Sequence, residues 1–332
     1  ITDEISAGPD RLNGYRSMWH ILRLRHHLNV PRSLVASLMK EVDPVGVAFR
    51  KRRRLHRRTY VSPGPNFAWH VDGYDKLKPY GFSIHGCVDG FSRRILWLQV
   101  QRSNKKPKVV AKYYYDYVRA TGGCPVRLLT DRGTENGLIA AMQCYLRANG
   151  QDEFAGPKAH QYLSSPSNQR IECYWSSLRK LRSSWWIDFF ADLLQSGILD
   201  LSNEIYKEAL WFCFADVLQK DLDKTREHWN SHRIRKSHET TVPGVPDILY
   251  FLPEQSGEGR EDCLVQVQPL MLQEVEQQVL SEAQEEETNE IWEEYFHYVM
   301  ENNELTHPAT IFEAGELLQL LVSFASGVTE TN

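Results

Sequence analysis

The chain has 332 residues, of which 42% are hydrophobic, and a formal net charge of −4. It is long enough for one large domain or for two to three smaller ones, and its nine Trp, fifteen Tyr and thirteen Phe can fill a packed core. No run of about 18 apolar residues exists, which excludes a helical membrane span. Six cysteines without a C-x-x-C pair argue for a reducing compartment and against a structural zinc site. The chain begins at Ile1 without a signal-peptide pattern, so we expect it to be part of a longer protein.

The small net charge hides two oppositely charged parts. Residues 254–332 contain 18 Asp and Glu and a single basic residue, Arg260, which gives a net charge of −17. Residues 1–253 carry 38 basic and 25 acidic residues, which gives +13. A basic body is typical of a protein that binds a polyanion such as DNA, whereas an acidic end is not.

Residues 1–48 are predicted to form a small helical module. One helix is expected over residues 15–28, and a second opens at Pro31, because proline is favoured at the first helical position. Apolar side chains at helical spacing mark the second helix: Leu34, Val35, Leu38 and Met39. The pair resembles the helix-turn-helix that precedes the catalytic core of insertion-sequence transposases, where a similar Gly-Tyr-Arg opening occurs. A helical hairpin that only packs explains the pattern equally well.

Residues 49–65 form a strongly basic linker. Seven of the nine residues from 50 to 58 are basic: Arg50, Lys51, Arg52, Arg53, Arg54, Arg57 and Arg58. Such a run usually stays solvated, and it can bind phosphates or serve as a nuclear address. Its position between a possible DNA-reading module and the acids described below favours DNA contact and a nuclear protein.

Residues 66–253 have the pattern of an α/β domain. Apolar and β-branched runs predict strands over residues 66–72, 82–89, 94–100 and 126–130, and helical periodicity marks residues 105–120, 134–146 and 185–231. In this order the strands can form a mixed sheet whose central strands carry acids at neighbouring ends.

Three carboxylates stand at the ends or flanks of these elements. Asp72 and Asp131 each stand at the end of an apolar strand, and a glycine follows each of them within two residues. Glu172 lies in a segment with a helical pattern. Taken singly, each acid is explained by turn chemistry or by a solvated helix face. Together they suit divalent metals of the magnesium type, because such ions take oxygen ligands with one or two carboxylates per ion. Two ions about 4 Å apart can clamp the attacking and leaving oxygens of a phosphodiester displacement.

The sequences around these acids carry a specific resemblance. The motifs are WHVDG at 69–73, VDGFSR at 88–93, TDRGTEN at 130–136, NQRIE at 168–172 and WNSHRIR at 229–235. With them, residues 66–247 resemble the catalytic core of retroviral integrases and related transposases, closest to integrase-core proteins of eukaryotic genomes. The resemblance implies a ribonuclease-H-like fold with a mixed five-stranded sheet and flanking helices. It also implies two Mg²⁺ or Mn²⁺ ions on the catalytic and metal-binding residues Asp72, Asp131 and Glu172, with DNA as the partner and a homo-oligomer as the active form.

The spacing between the second and third acids departs from this pattern. Forty residues separate Asp131 from Glu172, a few more than is usual in retroviral integrases, and we place the excess in residues 149–159. Insertions at such surface sites are tolerated at small cost.

Arg179, Lys180 and Arg182 follow Glu172 and are predicted to contact DNA, although an exposed basic face without function is the alternative. Asp89 lies at a hairpin and is interpreted as structural.

The acidic segment 254–332 is expected to be partly helical or disordered. Helices are predicted over residues 264–280 and 290–300, with one further helix around residues 317–324. The segment either acts as an interaction tail, bound in cis to the basic body or to a protein partner, or is a disordered extension.

Three functions remain open on the sequence. The first is a metal-dependent polynucleotidyl transferase that joins DNA ends into target DNA. The second is an integrase-derived host protein that binds DNA and no longer recombines it. A plain ribonuclease-H-type nuclease is a third, which the flanking motifs match less well.

Overall fold

A five-stranded mixed sheet lies at the centre of the computed structural model, which describes residues 1–6, 13–50, 62–164, 167–236, 242–280 and 290–327. The spatial order is β3-β2-β1-β5-β6. β1 pairs antiparallel with β2, as β2 does with β3, whereas β5 runs parallel to both β1 and β6. The strands are β1 Ala68–Tyr74, β2 Ser83–Asp89, β3 Ile95–Gln101, β5 Arg127–Thr130 and β6 His160–Tyr162, with the two-residue β4, Gly123–Cys124, outside this sheet. The predicted α/β, ribonuclease-H-like architecture is confirmed.

Helices cover both faces of the sheet. On one face lie α5 Pro107–Thr121 and α6 Gly137–Leu146, and on the other lie α7 Gln169–Leu178, α8 Ser184–Gln195 and α9 Glu204–Ser231. The side chains of β1 point alternately to these two helix-covered faces, because successive side chains of a strand point to opposite faces. Trp69 and Val71 are buried in the cluster that contains α5 and α6, whereas His70 and Asp72 contact residues of, or just before, α7.

The outer edge of β3 is capped by side-chain amides of α9. Asn230 accepts a hydrogen bond from Ile95 N and donates one to Ile95 O, and Gln219 makes the equivalent pair with Val100 N and Leu98 O. Gln219 and Asn230 are 11 residues apart, which is about three helical turns, so both face the strand. These amides take the place of a sixth strand and protect an edge that would otherwise pair with another chain.

The N-terminal module is helical, as predicted, and its described residues, 1–6 and 13–50, form four helices where two were expected. These are α1 Thr2–Ser6, α2 Tyr15–Leu24, α3 Arg32–Val42 and α4 Pro44–Arg50. α2 ends four residues before the predicted end, and Pro31 is the residue that precedes α3 instead of its first residue. Met18, Leu22, Val35 and Met39 form its small core. Leu34 and Leu38 of the predicted apolar set are 47% and 38% exposed.

The acidic C-terminal segment packs against the core instead of lying apart from it. α10 Pro246–Phe251 precedes it, and β7 Val265–Gln266 pairs with β4. The predicted helix over residues 264–280 is therefore wrong at its start: α11 begins at Pro269, runs to Val275 and continues as a π-helical turn, Glu276–Leu280. The last two helices are α12 Glu290–Asn302 and α13 Ile311–Ala325.

The core of α9 includes residues from these two last helices. Phe296 and Met300 of α12 and Leu318 and Leu321 of α13 are buried in one cluster with Phe214 of α9. The change of composition after residue 253 thus marks a change of charge and no gap in the packing. For residues 290–325 the disordered interpretation is wrong, because this apolar burial holds both helices on the domain. The acidic patch at 282–287 lies outside the described residues. Among the helices that the structure describes, none has the length and apolar character of a membrane span.

Candidate active site

The fold brings Asp72, Asp131 and Glu172 to one end of the sheet. β1 and β5 are adjacent and parallel, with His70 paired to Leu129. Asp72 and Asp131 each come two residues after that pair, so the two carboxylates stand at equivalent positions on neighbouring strands. Glu172 lies in the first turn of α7, which packs across β1 and β2. One expectation needs correction: β1 does not end at Asp72 but continues to Tyr74, paired with β2 throughout.

The electrostatics show that the three acids influence one another. Burial and the neighbouring charges of Glu172 and Asp131 raise the pKa of Asp72 to about 7, against the lowering effect of a hydrogen bond from Trp175. Burial and the charge of Asp131 also raise the pKa of Glu172, and Lys76 partly offsets this rise. Such mutual repulsion is what a cation of high charge would relieve.

Asp131 is fixed by the turn that its own motif forms. Its Oδ1 accepts hydrogen bonds from Gly133 N at 3.0 Å and from Asn136 Nδ2 at 2.7 Å. A side chain at Gly133 would require the Glu135 carboxylate to move, because a Cβ there would lie 1.9 Å from Glu135 Oε1. The sequence Asp-Arg-Gly-Thr-Glu-Asn therefore encodes the orientation of a carboxylate as well as its presence.

A buried pair of residues joins the strand of Asp72 to the helix of Glu172. His70 Nδ1 lies 2.7 Å from Asn168 Oδ1, and Asn168 Nδ2 donates to Val71 O at 3.1 Å. Glu172 N in turn donates to Asn168 O. Burial lowers the pKa of His70 to about 4, so its ring is neutral at pH 7 and its Nδ1–H donates to Asn168.

Trp175 makes the most direct contact with an acid of the trio. Its Nε1 donates to Asp72 Oδ2 at 2.8 Å, and its ring is buried beside Tyr74. The sequence analysis gave Trp175, His70 and Asn168 no role. His70 and Asn168 lie inside the motifs around the acids, and Trp175 is three residues after Glu172, so this proximity is the signal that could have identified them.

The basic residues after Glu172 divide into two groups. Arg179 and Lys180 are exposed, as a phosphate contact requires. Arg182 is 2% exposed, and its guanidinium lies 3.9 Å from Asp221 Oδ1. The predicted DNA contact is therefore corrected for Arg182: its charge lies in the interior beside Asp221 of α9, within the π-helical turn Arg179–Ser183.

The basic linker cannot be assigned to the site from its geometry. Arg50 is the last residue of α4, and its side chain lies outside the described part. The other basic residues of the run lie entirely outside the described part: Lys51, Arg52, Arg53, Arg54, Arg57 and Arg58. Asp89, by contrast, is fully buried and accepts hydrogen bonds from Asn66 N, Ser92 N and Ser92 Oγ, as expected of a structural residue.

The donor set fits divalent ions of the magnesium type. In the described ranges no three His, Cys, Asp or Glu side chains form a complete ligand set for one ion. Mg²⁺ does not require one, because it keeps several waters and is typically bound through one or two carboxylates plus substrate phosphates. Asn136 Oδ1, beside Asp131, is buried without a hydrogen-bond partner among the described residues, and a metal-bound water would satisfy it.

A comparison with protein families identifies the domain. A profile described as "Integrase core domain" matches residues 59–251, more than half of the chain. The chain belongs to the integrase core family. Among solved structures, a chain of the simian T-cell lymphotropic virus intasome in complex with the PP2A regulatory subunit B56 gamma is similar at 12% identity and a TM-score of 0.33, with 70% of this chain and 74% of that chain covered. No curated protein matches the chain.

Membership of the integrase core family places the chain among proteins that are generally metal-dependent polynucleotidyl transferases. The three acids lie in the matched region, with Asp72 on the central strand β1 and Asp131 directly after the neighbouring strand β5. The profile ends at residue 251, before the acidic segment, so the C-terminal helices are an addition to the domain that the family describes.

Proposed function

We propose that this integrase-core protein is a DNA-joining polynucleotidyl transferase whose reaction depends on Asp72, Asp131 and Glu172. The observation that carries the proposal is the convergence of these acids, of which Asp72 has a pKa of about 7 because burial and two like charges oppose its ionisation. Carboxylates whose ionisation is opposed by burial and by neighbouring like charges are typical of functional sites, and a bound cation would relieve this repulsion. We also propose Mg²⁺ or Mn²⁺ as that cation, at two sites.

Different residues of the chain would bind the metal ions and orient the ligands of those ions. Asp72, Asp131 and Glu172 would hold the ions, which when bound polarise the scissile phosphodiester and the attacking hydroxyl. Trp175, Gly133 and Asn136 orient the two aspartates through hydrogen bonds.

The DNA would be held by basic side chains around the acids. Arg179 and Lys180 are exposed, follow the last residue of α7 directly, and would bind phosphates of the DNA backbone. The basic linker, residues 50–58, would add phosphate contacts and serve as a nuclear address. Joining two DNA ends to one target requires two active sites, so we propose a homo-oligomer as the active form.

Product analysis on labelled duplex DNA tests this proposal. The full chain is incubated with Mg²⁺ or Mn²⁺ and a pool of duplexes with randomised ends, and products are separated by length. Strands longer than either substrate, joined at a labelled 3′ end, support a transferase. Shortened strands without joined ones would support a nuclease. Binding without either product would support the alternative, an integrase-derived DNA-binding protein that no longer recombines.

A further inference from the structure

Trp175, Gly86 and Asp72 form a contact that spans two strands and a helix. Asp72 on β1 is directly opposite Gly86 on β2, so both residues face α7. Trp175 of α7 lies over this pair, and its Nε1 donates to Asp72 Oδ2 at 2.8 Å. Trp175 is three residues after Glu172, which places both on the same side of one helix.

Gly86 is what allows the indole to approach so closely. A Cβ at Gly86 would lie 2.8 Å from Trp175 Cη2, closer than two carbon atoms can come, and 3.3 Å from Leu98 Cδ1. A glycine inside a strand lowers strand stability, and it is retained where another group must approach the backbone. Here the approaching group is the six-membered ring of Trp175, which is only 5% exposed and packs on Tyr74 with ring centroids 5.1 Å apart.

The consequence concerns the orientation of Asp72. The χ2 torsion of an aspartate is broad, and a hydrogen bond to Oδ2 restricts the plane in which the carboxylate lies. The same helix supplies Glu172, so α7 delivers one acid of the trio and fixes the rotamer of another. A displacement of α7 would therefore change the position of Glu172 and the orientation of Asp72 together.

We propose that Trp175 is a positioning residue for the metal site, holding the Asp72 carboxylate through its indole N–H in the space that Gly86 leaves open. This inference rests on the proposed function for its link to metal binding, but its geometric part can be tested without metal. Groups that hydrogen-bond to a metal ligand typically change metal affinity about 10- to 100-fold when removed.

The first experiment compares Trp175→Phe with a matched control. Trp186 is also buried and also donates its indole N–H to an aspartate, Asp221 Oδ2 at 3.0 Å, away from the three acids. Both substitutions remove an indole donor and leave a ring, so both should lower the melting temperature by a few degrees. Only Trp175→Phe should weaken Mn²⁺ binding by about 10- to 100-fold in calorimetric titration. Equal loss of affinity in both variants, or no loss in Trp175→Phe, would overturn the inference.

The second experiment is a double-mutant cycle with Gly86→Ala, which needs no metal. Gly86→Ala alone should lower the melting temperature, because the new methyl group collides with Trp175 Cη2. Phenylalanine at position 175 lacks that atom, so the loss in the double variant should be clearly smaller than the sum of the two single losses. Additive losses would mean that the indole does not lie over Gly86, which would contradict the inference.

The third readout is the indole N–H signal itself. The ¹H–¹⁵N resonance of Trp175, assigned by its absence in Trp175→Phe, should move upfield in metal-free Asp72→Asn, since the charged acceptor is lost. The resonance of Trp186 should stay in place. An unmoved Trp175 resonance would contradict the hydrogen bond. If these two metal-free tests succeed but the wild type binds no divalent ion, the proposed function fails while the positioning contact stands.

Discussion

His70 Nδ1 and Asn168 Oδ1 lie 2.7 Å apart in the interior of the domain and connect the strand of Asp72 to the helix of Glu172. Both side chains are 1% exposed. Asn168 also bonds Val71 O, next to Asp72, and its own carbonyl accepts from Glu172 N. One asparagine thus bonds to the backbone next to Asp72 and to the backbone of Glu172.

Asn168→Ala should therefore reduce DNA joining more than it reduces stability. Loss of two buried hydrogen bonds is expected to cost about 1 to 3 kcal/mol of unfolding free energy, whereas the joining rate should fall about 10- to 100-fold. Asn230→Ala is the matched control, because Asn230 is also a buried asparagine whose side chain makes two hydrogen bonds, both to the backbone of Ile95 at the β3 edge. Thermal melts and joining rates of both variants measure these two effects. Similar rate losses at similar stability would contradict a specific role for Asn168.

The raised pKa of Asp72 predicts how stability changes with pH. Its pKa in the folded protein is about 7, against an ordinary value of 3.8, so the folded state binds a proton more tightly than the unfolded one. The contribution is fully present below about pH 4 and is lost as pH rises through 7.

Metal-free Asp72→Asn should for this reason be more stable than the wild type at pH 8, by on the order of 1 to 3 kcal/mol, and about equally stable at pH 4. Melting curves at both pH values measure this difference. In the wild type, added Mg²⁺ should raise the melting temperature more at pH 8 than at pH 6, because the ion needs the ionised carboxylate. A wild type that is more stable than Asp72→Asn at pH 8 without metal would contradict the assigned electrostatics.

The exposed basic residues beside the acids should contribute to the salt dependence of DNA binding. Each phosphate contact contributes a slope of about −0.9 in a plot of log affinity against log salt concentration. Arg179→Ala combined with Lys180→Ala should flatten the slope by about two such steps. Lys112→Ala combined with Arg119→Ala, on α5 at the opposite face of the sheet, should leave it unchanged. Equal effects of the two pairs would mean that DNA is bound without regard to the acids.

Much of this site could be predicted from the sequence, because its acids lie in short motifs with their own local geometry. Asp131 shows this best: Gly133 and Asn136, which fix its carboxylate, are two and five residues away. Contacts between distant residues were not predictable in this way. The hydrogen bond from Trp175 to Asp72 needs a glycine on a third element, and the partner of the buried Arg182 is Asp221, which lies on α9.

The C-terminal segment was the least predictable part, for a similar reason. Its net charge of −17 favours a solvated acidic tail, and its sequence does not show which element its apolar residues pack on. They are buried because α9 presents an apolar face to them, and the two-residue β7 exists only through its pairing with β4, some 140 residues earlier.

The C-terminal helices should consequently be needed for folding. Leu318 is fully buried, and Leu318→Ala should cost about 2 to 5 kcal/mol of unfolding free energy. Deletion of residues 254–332 should yield an insoluble or unfolded protein; a truncated chain that melts like the full chain would contradict the shared core. Competition between the acidic surface and DNA is better tested by Glu293→Gln, Glu294→Gln and Glu301→Gln together, which leave the buried face intact. These changes should tighten DNA binding at low salt, and the gain should shrink as salt rises.

Substitution of the third acid is the most direct test of the proposed site of three acids. Glu172 and Glu135 are both partly buried glutamates near Asp131, and only Glu172 raises the pKa of Asp72 through its charge. In the joining assay, Glu172→Gln should lose joined product by about 100-fold or more, since the acids act as a unit, while DNA binding stays nearly intact. Glu135→Gln should retain joining within a few-fold of the wild type. Full joining by Glu172→Gln, with loss in Glu135→Gln, would contradict the Asp72, Asp131 and Glu172 site.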